Sequence, residues 1–564
     1  MIARTFTRWM AVVGCASMLT LSGCTVEDSS PPVPENVETK TSSPTAALTV
    51  VADGADIGSS IQASREVFDE SAVVVVAPSG NPEVQELAAR ASVGMGVPLL
   101  VAEAAPKEKG KTATPRPGTG KSPVSTELNR LGASTVVIVG DVTRLPGERD
   151  DGDDRTIVRV RPNAAAVGKT LGMDLGGSEP AGTMTLPAQV AAMAPGTPAR
   201  DRFPSAKTDD AVPVVDRDQP LDDLVALSID APEQIAAIAT ARAVGVPVHL
   251  LPATAVNPQA SETVIDALHS SAAGKTLALG SAFQAEPALD WKIRSAKTGF
   301  QLPGGGQLLF GPRQYVALYG VPGTGVLGVL GEQNATAAVQ RAQDMAAVYQ
   351  PLTDKTVVPM FEMMATVASA TAGADGNYST EIPVEELRPW IDEAAAAGLY
   401  VVIDLQPGRT DFLTQAQLYQ PLLELPNVGL ALDPEWRLLP GQVHLRQIGS
   451  VTAAEINSVI QWLADLTNEK ALPQKMLVLH QFQLRMIQDR PAIDMSRPEI
   501  GMVIHADGQG SQPAKQDTWN ALREGAPAGM AWGWKNFYDE DLPVLTPEQT
   551  MRDVSPVPDL VTYQ

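Results

Sequence analysis

Seven apolar runs too short for helices punctuate the C-terminal half of the chain, at 315–320, 357–362, 400–404, 427–433, 476–480, 501–505 and 529–534. Runs of this length read as strands buried on both faces. Amphipathic spacing between them predicts helices opened by Asn334 and over 384–397, 413–425, 453–468 and 515–523. Seven strand–helix steps in about 260 residues have the size of a (β/α)8 barrel. Leu308-Leu309-Phe310 stands as the candidate for the eighth strand. The fourth run organises this half: Val428-Gly429-Leu430-Ala431-Leu432 stops in Asp433-Pro434-Glu435-Trp436. Pro434 cannot extend a ladder, so both carboxylates fall at the carboxyl end of a strand, where barrels hold their sites.

From about 60 to 290 the pattern is a degenerate internal repeat, with units near 70–145 and 221–285. Val73 to Val76 leads through Pro82-Glu83 into a helical pattern and then Gly96-Val97-Pro98-Leu99-Leu100-Val101. Leu224 to Leu227 leads through Pro232-Glu233 to Gly245-Val246-Pro247-Val248-His249-Leu250. Each unit closes with a helix and a third strand, at Val136-Val137-Ile138-Val139-Gly140 and Leu277-Ala278-Leu279-Gly280. The expected fold class is therefore α/β, with two small parallel α/β units (60–290) followed by a barrel (300–564). The Pro-, Gly-, Ala- and Asp-rich stretch 177–220 reads as a linker, and Gly304-Gly305-Gly306 as a joint. No Lys-Ser or Lys-Thr follows those glycines at phosphate-loop spacing, and no cofactor is expected.

The pieces Gly96-Val97-Pro98-Leu99-Leu100-Val101, Glu127-Leu128-Asn129-Arg130-Leu131-Gly132-Ala133 and Val136-Val137-Ile138-Val139-Gly140-Asp141 resemble the bacterial cell-wall-binding repeat family, type 2. The resemblance implies a wall-binding role. The first unit carries an insertion at about 106–121, and Ser79-Gly80-Asn81-Pro82 and Asp230-Ala231-Pro232 replace the family's ligand-loop signature.

The beginning of the chain adds an address. Arg4 and Arg8 precede an apolar run, 9–21, that ends in Leu21-Ser22-Gly23-Cys24. A basic segment, a short apolar core and small residues describe a signal peptide over 1–24. Its ending resembles the lipobox of bacterial lipoproteins, which implies a lipidated Cys24 and a chain anchored on the outer face of the cell membrane. Residues 25–59, rich at first in Ser, Thr, Pro and Glu, read as a disordered tether. The second cysteine, Cys15, lies in the segment to be removed, so the exported chain is expected to have neither disulfide nor cysteine metal site. The net charge of −23 argues against a nucleic-acid partner.

The strand ends supply the candidate chemistry: Tyr319, Glu362, Asp404, Asp433, Glu435, His480, His505, Asp507, Trp534 and Lys535. Carboxylates gathered at one end of a barrel repel one another and raise some pKa values, as a general acid requires. Asp433 and Glu435, two apart, share a side if the strand stays extended. Trp436, Trp532, Trp534 and Phe537 offer faces for sugar rings. The form resembles barrel glycosidases, with Glu435 as acid and Asp433, Glu362 or Asp507 as base or nucleophile. Asp404, His480, Trp436, Trp534 and Lys535 would bind an envelope polysaccharide. In the large glycosidase clan with catalytic carboxylates on strands four and seven, strand seven ends in a carboxylate; here it ends Trp534-Lys535-Asn536. Two alternatives stay open: a metal-dependent hydrolase with His480, His505, Asp404 and Asp507 as ligands, and a non-catalytic glycan-binding or scaffold protein.

Overall fold

The computed structural model describes residues 36–106, 122–143, 145, 155–175, 183–195 and 212–564. The expected signal peptide, Cys24 and the first part of the tether lie outside them. Residues 36–59, expected to be tether, are folded. Asn36–Thr41 pairs antiparallel with Phe68–Ser71 and parallel with Val214–Asp216, and Leu48–Val51 joins a sheet. Composition misled here because two short strands can be held by partners distant in sequence.

Each repeat unit builds a parallel four-stranded sheet. The first runs Leu99–Ala102, Val73–Pro78, Thr135–Val139, Thr156–Val160; the second runs Val248–Leu251, Leu224–Ile229, Lys275–Leu279, Leu48–Val51. In both, the first strand of the unit lies between its second and third, which the right-handed strand–helix–strand crossover favours. The 177–220 stretch is not all linker, since it holds the helix Leu186–Ala191, with Pro187 and Val190 buried, and the strand Val214–Asp216. Ser79 and Gly80, in the loop after Val73–Pro78, and Gln85, in the helix Pro82–Met95, all donate to the Asp56 carboxylate at 2.8–3.0 Å.

The C-terminal half is a closed parallel barrel of eight strands in sequence order. We label them β1 (Arg313–Gly320), β2 (Thr356–Met364), β3 (Tyr400–Leu405), β4 (Val428–Leu432), β5 (Lys475–Gln481), β6 (Ile500–Ala506), β7 (Ala531–Asn536) and β8 (Leu560–Tyr563). The helices start where the sequence supplies caps: Asn334, Asp411 and Thr452 each accept from a backbone N–H three residues on, and Thr546 with Gln549 forms a capping box. Between β5 and β6 the crossover is made instead by the short turns Leu484–Met486 and Arg490–Ala492.

Alternation along the strands splits the apolar residues in two. Tyr315, Ala317, Val358, Met360, Tyr400 and Val402 pack together inside the barrel, while Val316, Leu318, Phe361, Val401 and Ile403 join the core shared with the helices. Leu308-Leu309-Phe310 is not the eighth strand. Leu302 and Leu309 close the barrel floor against the inner cluster, and Tyr315 donates its hydroxyl to the Leu309 carbonyl at 3.1 Å. The glycine joint is likewise a fixed turn: Gly304, Gly305 and Gly306 have φ of 85°, 86° and 61°, a region costly for residues with a Cβ. The next residue, Gln307, is buried and receives no freedom, bonding Ser295 and Phe300 carbonyls at 2.9 and 2.8 Å.

Candidate active site

Two residues beyond the apolar interior, the inward positions turn polar on every strand but β4. They are Tyr319, Glu362, Asp404, His480, His505, Lys535 and Thr562, and Asp433 joins them one residue past β4. Registers set Tyr319 beside Glu362, His480 beside His505 and Lys535 beside Thr562. Each of these eight residues is at most 3 % exposed, so their charges must be met by one another rather than by water. Glu435 and Asp507, on the loops after β4 and β6, are the acids of this group that keep partial exposure.

The strand does not stay extended through Asp433 and Glu435. Pro434–Trp436 forms a 3-10 turn, and the Asp433 carboxylate caps it by accepting from the Glu435 N–H at 3.1 Å. Proline fixes its own φ and has no N–H for the ladder, so Glu435 leaves the sheet for the mouth while Asp433 stays beneath it.

His480 is the hub of the buried layer. Its Nε2 lies 2.7 Å from Glu362 Oε1, and its Nδ1 lies 3.0 Å from Asp507 Oδ2. Thr562 donates to Glu362 Oε2 at 3.0 Å, and Tyr319 donates to Asp404 Oδ2 at 2.8 Å. Lys535 Nζ pairs with Asp507 at 3.1 Å and sits 3.6 Å from the centre of the Tyr319 ring. Lys515 fixes that lysine's backbone by donating to the Lys535 carbonyl and to Asp541, both at 2.7 Å.

These contacts divide the acids. Burial, with repulsion from Asp507, pushes Glu435 up to about 7. Burial, reinforced by Asp404 and Asp507, holds Asp433 well above the carboxylate range, and burial also raises Asp404. For Glu362 burial works the other way from the result: the charges of His480 and His505 outweigh it and bring the carboxyl to about 2. Lys535 and His480 likewise outweigh burial at Asp507 and hold it below the usual range. Glu362, Asp404 and Asp507 keep His480 protonated far above its ordinary value against the effect of burial, whereas burial lowers His505 to about 4.

Of the residues expected from sequence, Tyr319, Glu362, Asp404, Asp433, His480, His505, Asp507 and Lys535 meet in this layer, with Glu435 at its mouth. Trp436, half-buried, stands in the same loop with its ring 5.3 Å from that of His444. Trp534 is not a sugar platform. Its side chain faces out of the barrel, buried among the helix-facing core and 5.7 Å from the ring of Trp519, with Nε1 bonded to Asn536 at 2.9 Å. Trp532 packs the same way, 5.8 Å from Trp519. Alternation assigns Gly533 and Lys535 inward and so both tryptophans outward. Phe537 is buried, with Lys515 and Lys535 each near 5 Å from its ring centre. Thr562 and Lys515 went unread; only the i, i+2 continuation of β8 could have found Thr562.

No family model matches the chain, and no curated protein matches it in sequence. Among solved structures it is similar to Cwp6 from Clostridium difficile at 11 % identity and TM-score 0.28, covering 65 % of this chain and 66 % of that one. Cwp8 from Clostridium difficile matches at 12 % identity and TM-score 0.30, covering 45 % of this chain and 52 % of that one. A xylanase–α-amylase inhibitor protein, solved in complex with trehalose, matches at 14 % identity and TM-score 0.27, covering 44 % of this chain and 93 % of that one. The chain thus spans less than two thirds of the length of Cwp6 and of Cwp8.

Proposed function

We propose that the chain is a cell-envelope lipoprotein whose barrel hydrolyses an envelope polysaccharide, with Glu435 as general acid and Asp507 as the opposing carboxylate. The observation that carries the reading is the contrast between the two acids on the loops after β4 and β6, Glu435 half-buried and Asp507 with its side chain 8 % exposed. Glu435 has no cation bonded to it among the described residues and is kept protonated to about pH 7, while Asp507 is held as an anion by Lys535 at 3.1 Å. Glycoside hydrolysis needs one carboxylic acid to protonate the leaving oxygen and one carboxylate to act as base or nucleophile. Asp433 and Glu362 are too deeply buried for contact with a polymer and support the pair from below.

The test is a screen of wall polysaccharides with protein lacking residues 1–24. Glu435→Gln preserves shape but has no proton to give, so turnover should fall roughly 10²-fold or more with binding retained. Full turnover in that variant removes Glu435 as the acid; wild-type binding without turnover turns the barrel into a glycan-binding module. The address rests on Leu21-Ser22-Gly23-Cys24. Among the described residues no helix is long and apolar enough to cross a membrane. If Cys24 carries the lipid, Cys24→Ala should leave the membrane fraction, and a variant that stays there contradicts the lipid anchor.

A further inference from the structure

Beneath Glu435 and Asp507 the buried layer has a pattern that hydrolysis by two carboxylates does not require. Three inward groups each commit one heteroatom to an outer partner. Glu362 Oε2 accepts from Thr562, Asp404 Oδ2 accepts from Tyr319, and His480 Nδ1 bonds Asp507. Their other heteroatoms converge: Glu362 Oε1 lies 2.7 Å and Asp404 Oδ1 lies 3.8 Å from the same His480 Nε2. Asp404 Oδ1 has no hydrogen-bond partner among the described residues, and neither has Nε2 of His505, although both residues are fully buried. Ligand atoms of Glu362, His480 and His505 all lie within 4.8 Å of one another. An unpaired polar atom in a protein interior is costly, and two of them in one cluster share a simple remedy.

We propose that Glu362, His480 and His505 bind one divalent transition-metal ion of the zinc class inside the barrel mouth, with Asp404 beside them, its Oδ1 3.8 Å from His480 Nε2. Two imidazole nitrogens and one carboxylate oxygen, with no thiolate, form a borderline donor set suited to zinc and its neighbours, which are often held by three protein ligands. Calcium takes six to eight oxygens and magnesium prefers waters and phosphates, so neither fits a site with two imidazole ligands. The outer partners are those a metal site uses: the ligating histidine gives its second ring N–H to a carboxylate, and the ligating carboxylate accepts from a hydroxyl. On binding, the proton shared between His480 Nε2 and Glu362 is released to solvent. Asp507 thereby becomes a positioning residue behind His480 rather than a ligand, and Glu362 takes the place that the strand-end pattern gave to Asp507. The ion goes beyond the hydrolase reading and does not depend on it, since a binding protein could hold the same ion.

The test uses the purified full chain stripped with chelator and titrated with zinc chloride, read by calorimetry and elemental analysis. One equivalent of zinc is expected per chain. Glu362→Gln and His505→Ala should lose stoichiometric binding, Asp507→Asn should weaken it roughly 10- to 100-fold, and His269→Ala, in the repeat half, should leave it unchanged. No uptake by the wild type, or undiminished uptake by folded His505→Ala, overturns the proposal. Should the ligand variants fail to fold, X-ray absorption of the wild-type zinc complex decides. Imidazole scattering at about 2.0 Å supports the site, and an all-oxygen shell overturns it.

Discussion

Glu435 connects the stability of the molecule to its proposed chemistry. Its carboxyl titrates near 7 in the folded chain against 4.5 for an ordinary glutamate, so between those values the native state holds more protons than the unfolded one. The stability it contributes is present below about pH 4.5 and is lost as pH rises through about 7. Glu435→Gln mimics the protonated form at every pH. That variant should therefore gain on the wild type between pH 5 and pH 8 by on the order of 2 kcal/mol in denaturant unfolding; parallel pH profiles would contradict the assignment. Most of this layer was legible residue by residue, because inward positions on a strand repeat every second residue and the polar residues of seven strands fall on that series. The tryptophans were not: aromatic character says nothing of direction, and only the closed register turns Trp532 and Trp534 toward the helices.

At the scale of elements, the strands of the barrel were read from their apolar runs, with one exception. β8 is four residues, Leu560–Tyr563, behind Pro556 and Pro558, too short and too interrupted to stand out. Its role went to Leu308-Leu309-Phe310, whose apolar side chains serve the floor instead. At the joint between the halves, glycine-rich composition does not reveal what the neighbouring helix binds. Helix Leu289–Lys297 is stapled to the barrel: buried Trp291 donates to the Leu472 carbonyl at 3.0 Å, and Arg294 bonds the Asn468 carbonyl and side chain at 2.9 and 2.7 Å. Removing a buried tryptophan side chain leaves a cavity, and Trp291→Ala should destabilise the barrel by about 3–5 kcal/mol. Chemical denaturation checks this; a loss below about 1 kcal/mol would mean that the barrel stands free of the helix, as a glycine hinge at 304–306 would allow.

Across the whole molecule, the parts are less separable than their order in sequence suggests. Leu48–Val51 precedes the first repeat unit yet completes the sheet of the second, so a cut between the units divides a sheet. The barrel, by contrast, draws all eight strands from residues 313–563, with its floor supplied from just upstream. The polar layer lies at the carboxyl ends of these strands, opposite that floor, and the most direct test of what it does is the hydrolysis rate of a wall polysaccharide against pH. In the wild type the rate should fall about tenfold per unit above pH 7 as Glu435 loses its proton, and in Glu435→Gln that limb should vanish along with most of the rate. A limb that persists unchanged in Glu435→Gln, or a variant as fast as the wild type, would contradict Glu435 as the acid of this barrel.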